Sequence, residues 1–304
     1  MSPVDQGNDA PSPQAGTGTA TPTFPPVRAC IFDMDGLLIN TEDLYTICAD
    51  AVLARHGRPP MPWSVKAQLM GVPGGSNSDA FHAWARLPIP RDQYRAEQAE
   101  EQRRRFPECA PLPGAARLLR DLRAARTADS RHLPVQTALA TSSERRNYEL
   151  KTAGPAARAL LGLIPEPHRV LGDDPRVARG RGKPAPDIYL LALRSVNDAL
   201  LAPEGQDQDQ DQKQPPIRPD ECLVFEDSVL GVEAGRRAGM RVVWVPHPGL
   251  AAEYRGRERE VLAGRTGMLP IGDEHQLGRL DDGWAEQLAS LEDFPYERFG
   301  IVVP

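Results

Sequence analysis

Val27-Arg28-Ala29-Cys30-Ile31-Phe32-Asp33-Met34-Asp35-Gly36 joins a short apolar run to a turn-prone acidic tetrapeptide. The run has no helical period and suits a strand buried on both faces of a sheet. Similar runs recur downstream at residues 135–140 (VQTALA), 222–225 (CLVF) and 241–245 (RVVWV), with a shorter candidate at 169–172. Helical stretches separate them, at 115–126, 187–200 and 231–238. Strands alternating with helices predict an α/β fold, a Rossmann-like parallel sheet with helices on both faces.

The segment after the first strand breaks the alternation. Leu44, Ile47, Cys48, Ala51 and Val52 recur at helical spacing, which predicts a helix from Asn40 or Thr41 to about His56. Residues 91–106 are helical in propensity but mostly charged, as in a solvated helix; Glu97, Glu100 and Glu101 offset Arg103, Arg104 and Arg105. Residues 44–110 are therefore expected to form a small inserted α-helical domain, with 27–43 and 111–304 as the α/β core. Residues 1–26, with six prolines and one aromatic ring, read as a disordered tail. Residues 203–216 (PEGQDQDQDQKQPP) read as a low-complexity loop insertion.

The 304 residues, 40% hydrophobic and 26% charged, exclude a fibrous or wholly disordered chain. Lys+Arg 36 against Asp+Glu 42 leaves a charge of −6, with no general attraction for nucleic acid or anionic membrane. Cys30, Cys48, Cys109 and Cys222 form no C-x-x-C pair, which points to a reducing, intracellular home. With no apolar run of membrane-spanning length and no signal-peptide layout, the expected location is the cytoplasm, with the nucleus left open.

Ligands of open parallel sheets bind beyond the carboxyl ends of the strands. There this chain places Asp33 and Asp35, Thr141 and Ser142, Lys183 in a later connection, and Glu226 with Asp227. Asp33 and Asp35, two apart, should point the same way and must pair with a cation or share a proton. With Asp227 and Glu226 they offer oxygen ligands to a hard divalent ion such as Mg²⁺, which commonly combines carboxylates with substrate phosphate. Lys183, Thr141 and turn N–H groups would supply charge and donors for a phosphoryl group.

This order and spacing resembles the haloacid dehalogenase-like superfamily in its capped phosphatase branch, which implies that the inserted residues 44–110 are a cap domain. The resemblance covers Arg28 to Val245 and is carried by D-x-D-G at Asp33–Gly36, Thr141 after an apolar strand, Lys183 in GKPAPDIY, and Glu226-Asp227 in FEDSVLGVEAG. VLGDDPRV and FPECAPLPGA bring the chain nearest the eukaryotic pseudouridine-5'-phosphatase group. The resemblance implies a Mg²⁺-dependent phosphomonoesterase for a small phosphorylated metabolite, with pseudouridine 5'-phosphate as the candidate. Asp33 would be the nucleophile that forms an aspartyl-phosphate and Asp35 the general acid and base. Thr141, Ser142 and Lys183 would hold phosphate oxygens. Mg²⁺ would be bound by Asp33, the Asp35 main-chain carbonyl and Asp227, with Glu226 direct or through water. The implied partner is the ester alone, on a monomer or weak dimer.

Blander readings carry less weight where the motifs act together. The segment Gly180-Arg181-Gly182-Lys183 fails as a P-loop because Pro184 holds the required Ser/Thr position. Gly71–Asn77 reads as a cap turn, the six histidines as surface residues without metal spacing, and Asp173-Asp174 as support for the Lys183 approach. Two alternatives remain. A sugar-phosphate mutase is disfavoured because related mutases carry a histidine where this chain has Tyr45. A non-catalytic binding protein of the same fold would normally lack a motif residue.

Overall fold

The computed structural model describes residues 24–71, 78–202 and 214–304. The tail up to residue 23, the loop 72–77 and the insertion 203–213 lie outside the described residues. The strands are β1 (Ala29–Phe32), β2 (Arg126–Thr127), β3 (Gln136–Ala140), β4 (Arg169–Val170), β5 (Cys222–Glu226), β6 (Arg241–Trp244), β7 (Ala285–Gln287) and β8 (Ile301–Val302). The helices that follow β1 are α1 (Thr41–Arg55), α2 (Trp63–Lys66), α3 (Ser78–Ala85) and α4 (Arg91–Arg105). Around the sheet lie α5 (Ala115–Ala124), α6 (Arg145–Lys151), α7 (Pro155–Leu161), α8 (Asp187–Leu201), α9 (Val229–Arg237), α10 (Pro248–Glu253) and α11 (Glu258–Leu262).

Six strands form one sheet in the order β4-β3-β1-β5-β6-β7, every neighbouring pair parallel. The period of two sends alternate side chains to opposite faces. Cys30 and Phe32, Leu139, Leu223 and Phe225, and Val243 enter one apolar cluster with α5 and α7. Ala29 and Ile31, Ala138 and Ala140, Val224, and Val242 and Trp244 enter another with α8 and α9. Both faces are thus buried, which is why these strands read as continuous apolar runs. The chain moves from β1 to β3 and β4 on one side and later to β5, β6 and β7 on the other. The crevice of the sheet therefore opens at the end of β1.

The inserted helices have an apolar cluster of their own, with Val52, Leu53, Val65, Phe81, Ala85 and Tyr94. The face expected for α1 shifts. Leu44, Cys48, Ala49, Val52 and Leu53 are buried, while Ile47 is 43% exposed. The helix crosses from the core, which takes Leu44 and Cys48, to the cap, which takes Val52 and Leu53. The charged α4 lies against α1 through Tyr94 and Glu101; its Glu101 pairs with Arg55, and its Glu97 meets His56 Nε2 at 2.9 Å just past the end of α1. Beyond Val245 no strand was expected, yet β7 closes one edge of the sheet and β8 pairs antiparallel with β2. No helix among the described residues is long and apolar enough to cross a membrane.

Candidate active site

Asp33 follows β1 directly and is buried. Its Oδ2 accepts the Asp35 N–H at 2.8 Å, and its Oδ1 accepts from Lys183 Nζ at 2.5 Å. Burial pushes the Asp33 carboxyl up to about 7, Lys183 opposing and Glu226 and Asp35 adding to the shift. The turn leaves through Gly36 at φ +77°, where a Cβ would lie 2.3 Å from Asp227 Oδ2. Any side chain there would be strained and would displace that carboxylate.

Lys183 Nζ also donates to Glu226 Oε1 at 2.6 Å and to the Ala140 carbonyl at 3.1 Å. Burial alone would lower its pKa, but Asp33 and Glu226 raise it, so the ammonium is kept. Glu226 is fully engaged: Oε1 also accepts from Tyr189 on α8 at 2.5 Å, and Oε2 from the Ser228 N–H and hydroxyl at 3.1 and 3.0 Å. A Cβ on Gly231 would fall 1.8 Å from Oε1. That contact is the physical reason for glycine in FEDSVLGVEAG. Ser228 itself caps α9, accepting from the Gly231 N–H at 3.1 Å.

Asp227 differs from its neighbour. Its Oδ2 is buried with no hydrogen-bond partner among the described residues, and burial, then Glu226, Glu42 and Asp33, push its carboxyl well above the usual range. Oxygens of Asp33, Glu226 and Asp227 lie within 4.8 Å of one another. An orphaned buried carboxylate oxygen within an all-oxygen set fits a hard divalent cation, which would neutralise the repulsion.

Asp35 does not share the Lys183 cation. Its Oδ1 accepts from Lys151 Nζ at 2.5 Å, and its Oδ2 from Ser143 Oγ at 2.7 Å and Thr141 Oγ1 at 3.3 Å. Burial would raise this carboxyl, yet Lys151 and hydrogen bonds from the Ser143 and Thr41 side chains together hold it below the usual carboxylate value. Thr141 is buried, and its Oγ1 accepts the Ser143 N–H at 3.1 Å. Ser142 borders the cleft and makes no side-chain hydrogen bond among the described residues; its carbonyl lies 2.2 Å from where a Cβ on Gly172 would sit. Asp173 Oδ1 accepts the Arg145 N–H and Asp174 Oδ1 accepts the Arg176 N–H, so these carboxylates bond within the segment that leads to Lys183 and to the start of α6, without touching Lys183 itself.

The cleft above these groups holds about 670 Å³ and is walled by the strand ends of the sheet and by the helices that follow β1. Lys66 of α2 reaches down to the Glu42 carbonyl and Thr46 Oγ1, both at 2.6 Å. Trp63 stacks on His247 of the core, centroids 4.5 Å apart, and His247 Nε2 lies 3.3 Å from Asp43. The surface reading of the histidines fails for His247 and for His168, which is buried against the Thr137 carbonyl. Sequence reasoning missed Lys151, Ser143, Lys66 and Tyr189. One signal was present: the chain has four lysines against thirty-two arginines, and Lys66, Lys151 and Lys183 are all buried around this cleft.

The sequence matches the haloacid dehalogenase-like hydrolase family over residues 27–239. It is 38% identical over 276 residues to a probable pseudouridine-5'-phosphatase of Saccharomyces cerevisiae, covering 90% of this chain and 98% of the relative. It is 34% identical to (DL)-glycerol-3-phosphatase 1, mitochondrial, of Arabidopsis thaliana, covering 79% and 71%. Among solved structures, a HAD family hydrolase from Deinococcus radiodurans R1 with bound phosphate and sodium superposes with TM-score 0.54 at 26% identity, covering 81% and 99%. With its parallel sheet, its inserted helices and these matches, the chain belongs to the haloacid dehalogenase-like hydrolase family, as a phosphatase.

Proposed function

We propose that this protein is a Mg²⁺-dependent phosphomonoesterase that hydrolyses a small phosphorylated metabolite through an aspartyl-phosphate on Asp33, with pseudouridine 5'-phosphate as the substrate. The observation that carries the reading is the separation of two neighbouring carboxylates onto two buried lysines, Asp33 on Lys183 and Asp35 on Lys151. One carboxylate can then act as nucleophile while the other exchanges protons.

Asp33, Asp227 and the Asp35 main-chain carbonyl would hold the cation, with Glu226 against Lys183. The bound cation supplies charge that lets an anionic carboxylate approach an anionic ester. Lys183 holds a phosphoryl oxygen beside the attacking Asp33 oxygen, with Thr141, Ser142 and the N–H groups of their turn as further donors. Asp35 gives a proton to the leaving oxygen and later takes one from the hydrolytic water. The name of the yeast relative supports the substrate.

The mutase alternative requires a proton acceptor at the cap hinge. Tyr45 occupies that place, but its hydroxyl accepts from Lys151 at 2.9 Å and burial raises its pKa, so it favours hydrolysis. The test is phosphate release with magnesium from pseudouridine 5'-phosphate, uridine 5'-phosphate, glycerol 3-phosphate and hexose phosphates. A kcat/KM for pseudouridine 5'-phosphate no higher than for the others would sink the substrate assignment.

A further inference from the structure

Lys151 ends α6 and belongs to none of the four motif segments. Its side chain is wholly buried, and its ammonium has three acceptors: Asp35 Oδ1 at 2.5 Å, Ser143 Oγ at 2.7 Å and Tyr45 OH at 2.9 Å. The rings of Tyr45 and Phe106 lie 4.6 and 5.2 Å from it. An ammonium has three protons, and all three are used here. A buried charge is costly unless a partner compensates it, and the carboxylate partner is Asp35.

The two oxygens of Asp35 are held unequally. Oδ1 is tied to the Lys151 ammonium, whereas Oδ2 accepts from the Ser143 and Thr141 hydroxyls at 2.7 and 3.3 Å, and the Thr41 side chain is a further hydroxyl partner of this carboxylate. Hydroxyls rotate and can give up a partner at little cost; a buried ammonium cannot. Ser143 links the two, accepting from Lys151 and donating to Oδ2. The Asp35 side chain is 17% exposed and borders the cleft, so it is within reach of an ester there.

We infer that Lys151 is a positioning residue for proton transfer: it fixes Asp35 through Oδ1 and thereby leaves Oδ2 to meet the leaving oxygen. This rests on the roles proposed above for Asp33 and Asp35. In the first step a carboxylate oxygen of Asp33 bonds to phosphorus as the ester P–O bond breaks. The bond's electron pair stays on the ester oxygen, which takes a proton from Asp35 Oδ2; that carboxylate, ionised beside Lys151 in the free protein, receives the proton from the ester monoanion as it binds and returns one to the released phosphate at the end of the cycle. In the second, water bonds to phosphorus, its proton passes to Asp35 Oδ2, and the Asp33–phosphorus bond breaks with its electrons returning to the carboxylate. A lysine is required because a planar guanidinium cannot present three protons to acceptors converging on one atom.

The test compares an alkyl ester, glycerol 3-phosphate, with p-nitrophenyl phosphate, whose leaving group departs as a stable phenolate and needs little protonation. Release of the leaving group is followed in a single turnover with magnesium. Lys151→Met should slow the alkyl ester by about 100-fold and the aryl ester by less than about tenfold, with little change in KM. Ser143→Ala and Tyr45→Phe, which each remove one other acceptor and keep the buried ion pair, should show the same selectivity at smaller size. Lys151→Arg should not restore the alkyl rate. A uniform loss on both esters in Lys151→Met, or in Ser143→Ala and Tyr45→Phe should Lys151→Met not fold, overturns the inference, as does full rescue by Lys151→Arg. Asp35→Asn separates the two levels. If it keeps the alkyl rate, the acid–base reading fails and this inference with it; if it alone is ester-selective, only the role of Lys151 is lost.

Discussion

Asp33 and Asp35 stand two residues apart, yet they are anchored to lysines that enter from different elements, Lys183 from the loop before α8 and Lys151 from the end of α6. A period-two strand would have aimed both carboxylates one way. β1 ends at Phe32, however, and the turn that follows lets each find its own cation. Burial pushes Asp33 up, while Lys151 and two hydroxyls hold Asp35 down. Carboxylates of unlike environment can take unlike roles in one reaction.

Replacing the nucleophile should abolish turnover without unfolding the chain. Asp33→Asn is expected to lower kcat by at least about 10³-fold. Its Tm should stay near that of the wild type, because Lys183 keeps Glu226 and the buried carboxyl it loses already resists ionisation. Steady-state phosphate release and a thermal melt check both, and full activity in the variant would rule out Asp33 as the nucleophile.

Glu226 is wholly buried and receives four donor groups. Glu226→Gln removes one of the two carboxylates beside the Lys183 ammonium and turns amide N–H groups toward existing donors. A loss of about 2–4 kcal/mol in urea unfolding is expected, with activity falling alongside. A variant as stable as the wild type would show that this network contributes nothing to the fold.

Divalent cations should stabilise the protein more at alkaline than at acidic pH. Asp33, raised to about 7, and Asp227, raised well above the usual range, keep protons in the folded state that the unfolded chain has already released. A raised carboxyl contributes stability below its unfolded pKa and loses it as pH climbs through the folded value. The metal-free protein therefore weakens across that window, while a cation that displaces those protons binds better. Thermal melts should show a larger magnesium-induced rise in Tm at about pH 8 than at about pH 6. Equal shifts would mean that the cation does not bind at these carboxylates.

The cap should depend on Trp63. Its ring stacks on His247 at 4.5 Å, and the Lys66 ammonium lies 4.6 Å from it. Trp63→Ala should cost the docked cap about 1 kcal/mol, read as a roughly fivefold higher KM with kcat less affected. A change in kcat alone would assign Trp63 to the chemistry instead.

Local signals carried most of the fold and half of the site. β1, β3, β5 and β6 were legible because a strand buried on both faces must be apolar throughout. Asp33, Thr141 and Glu226-Asp227 were legible because they sit where those runs stop. Their glycines follow from contacts between neighbours in sequence, Gly36 against Asp227 being the long-range exception. The edge strand β7 has two half-buried residues and one exposed, so it has no pattern to read.

Lys151 meets Asp35 across 116 residues of chain, and Lys183 meets Asp33 across 150. The second pairing was found through its motif; the first has none, and only the fold, which sets the last residue of α6 against Asp35, creates it. The amino acids alone thus settle the α/β class, the order of the strand-end acids and the chemistry those acids can perform, since each depends on short-range pattern. Which lysine serves which carboxylate, and which oxygen of Asp35 is left for substrate, depends on atoms brought together by the folded sheet and its helices, and burial then makes those pairings strong enough to set the charge of each group.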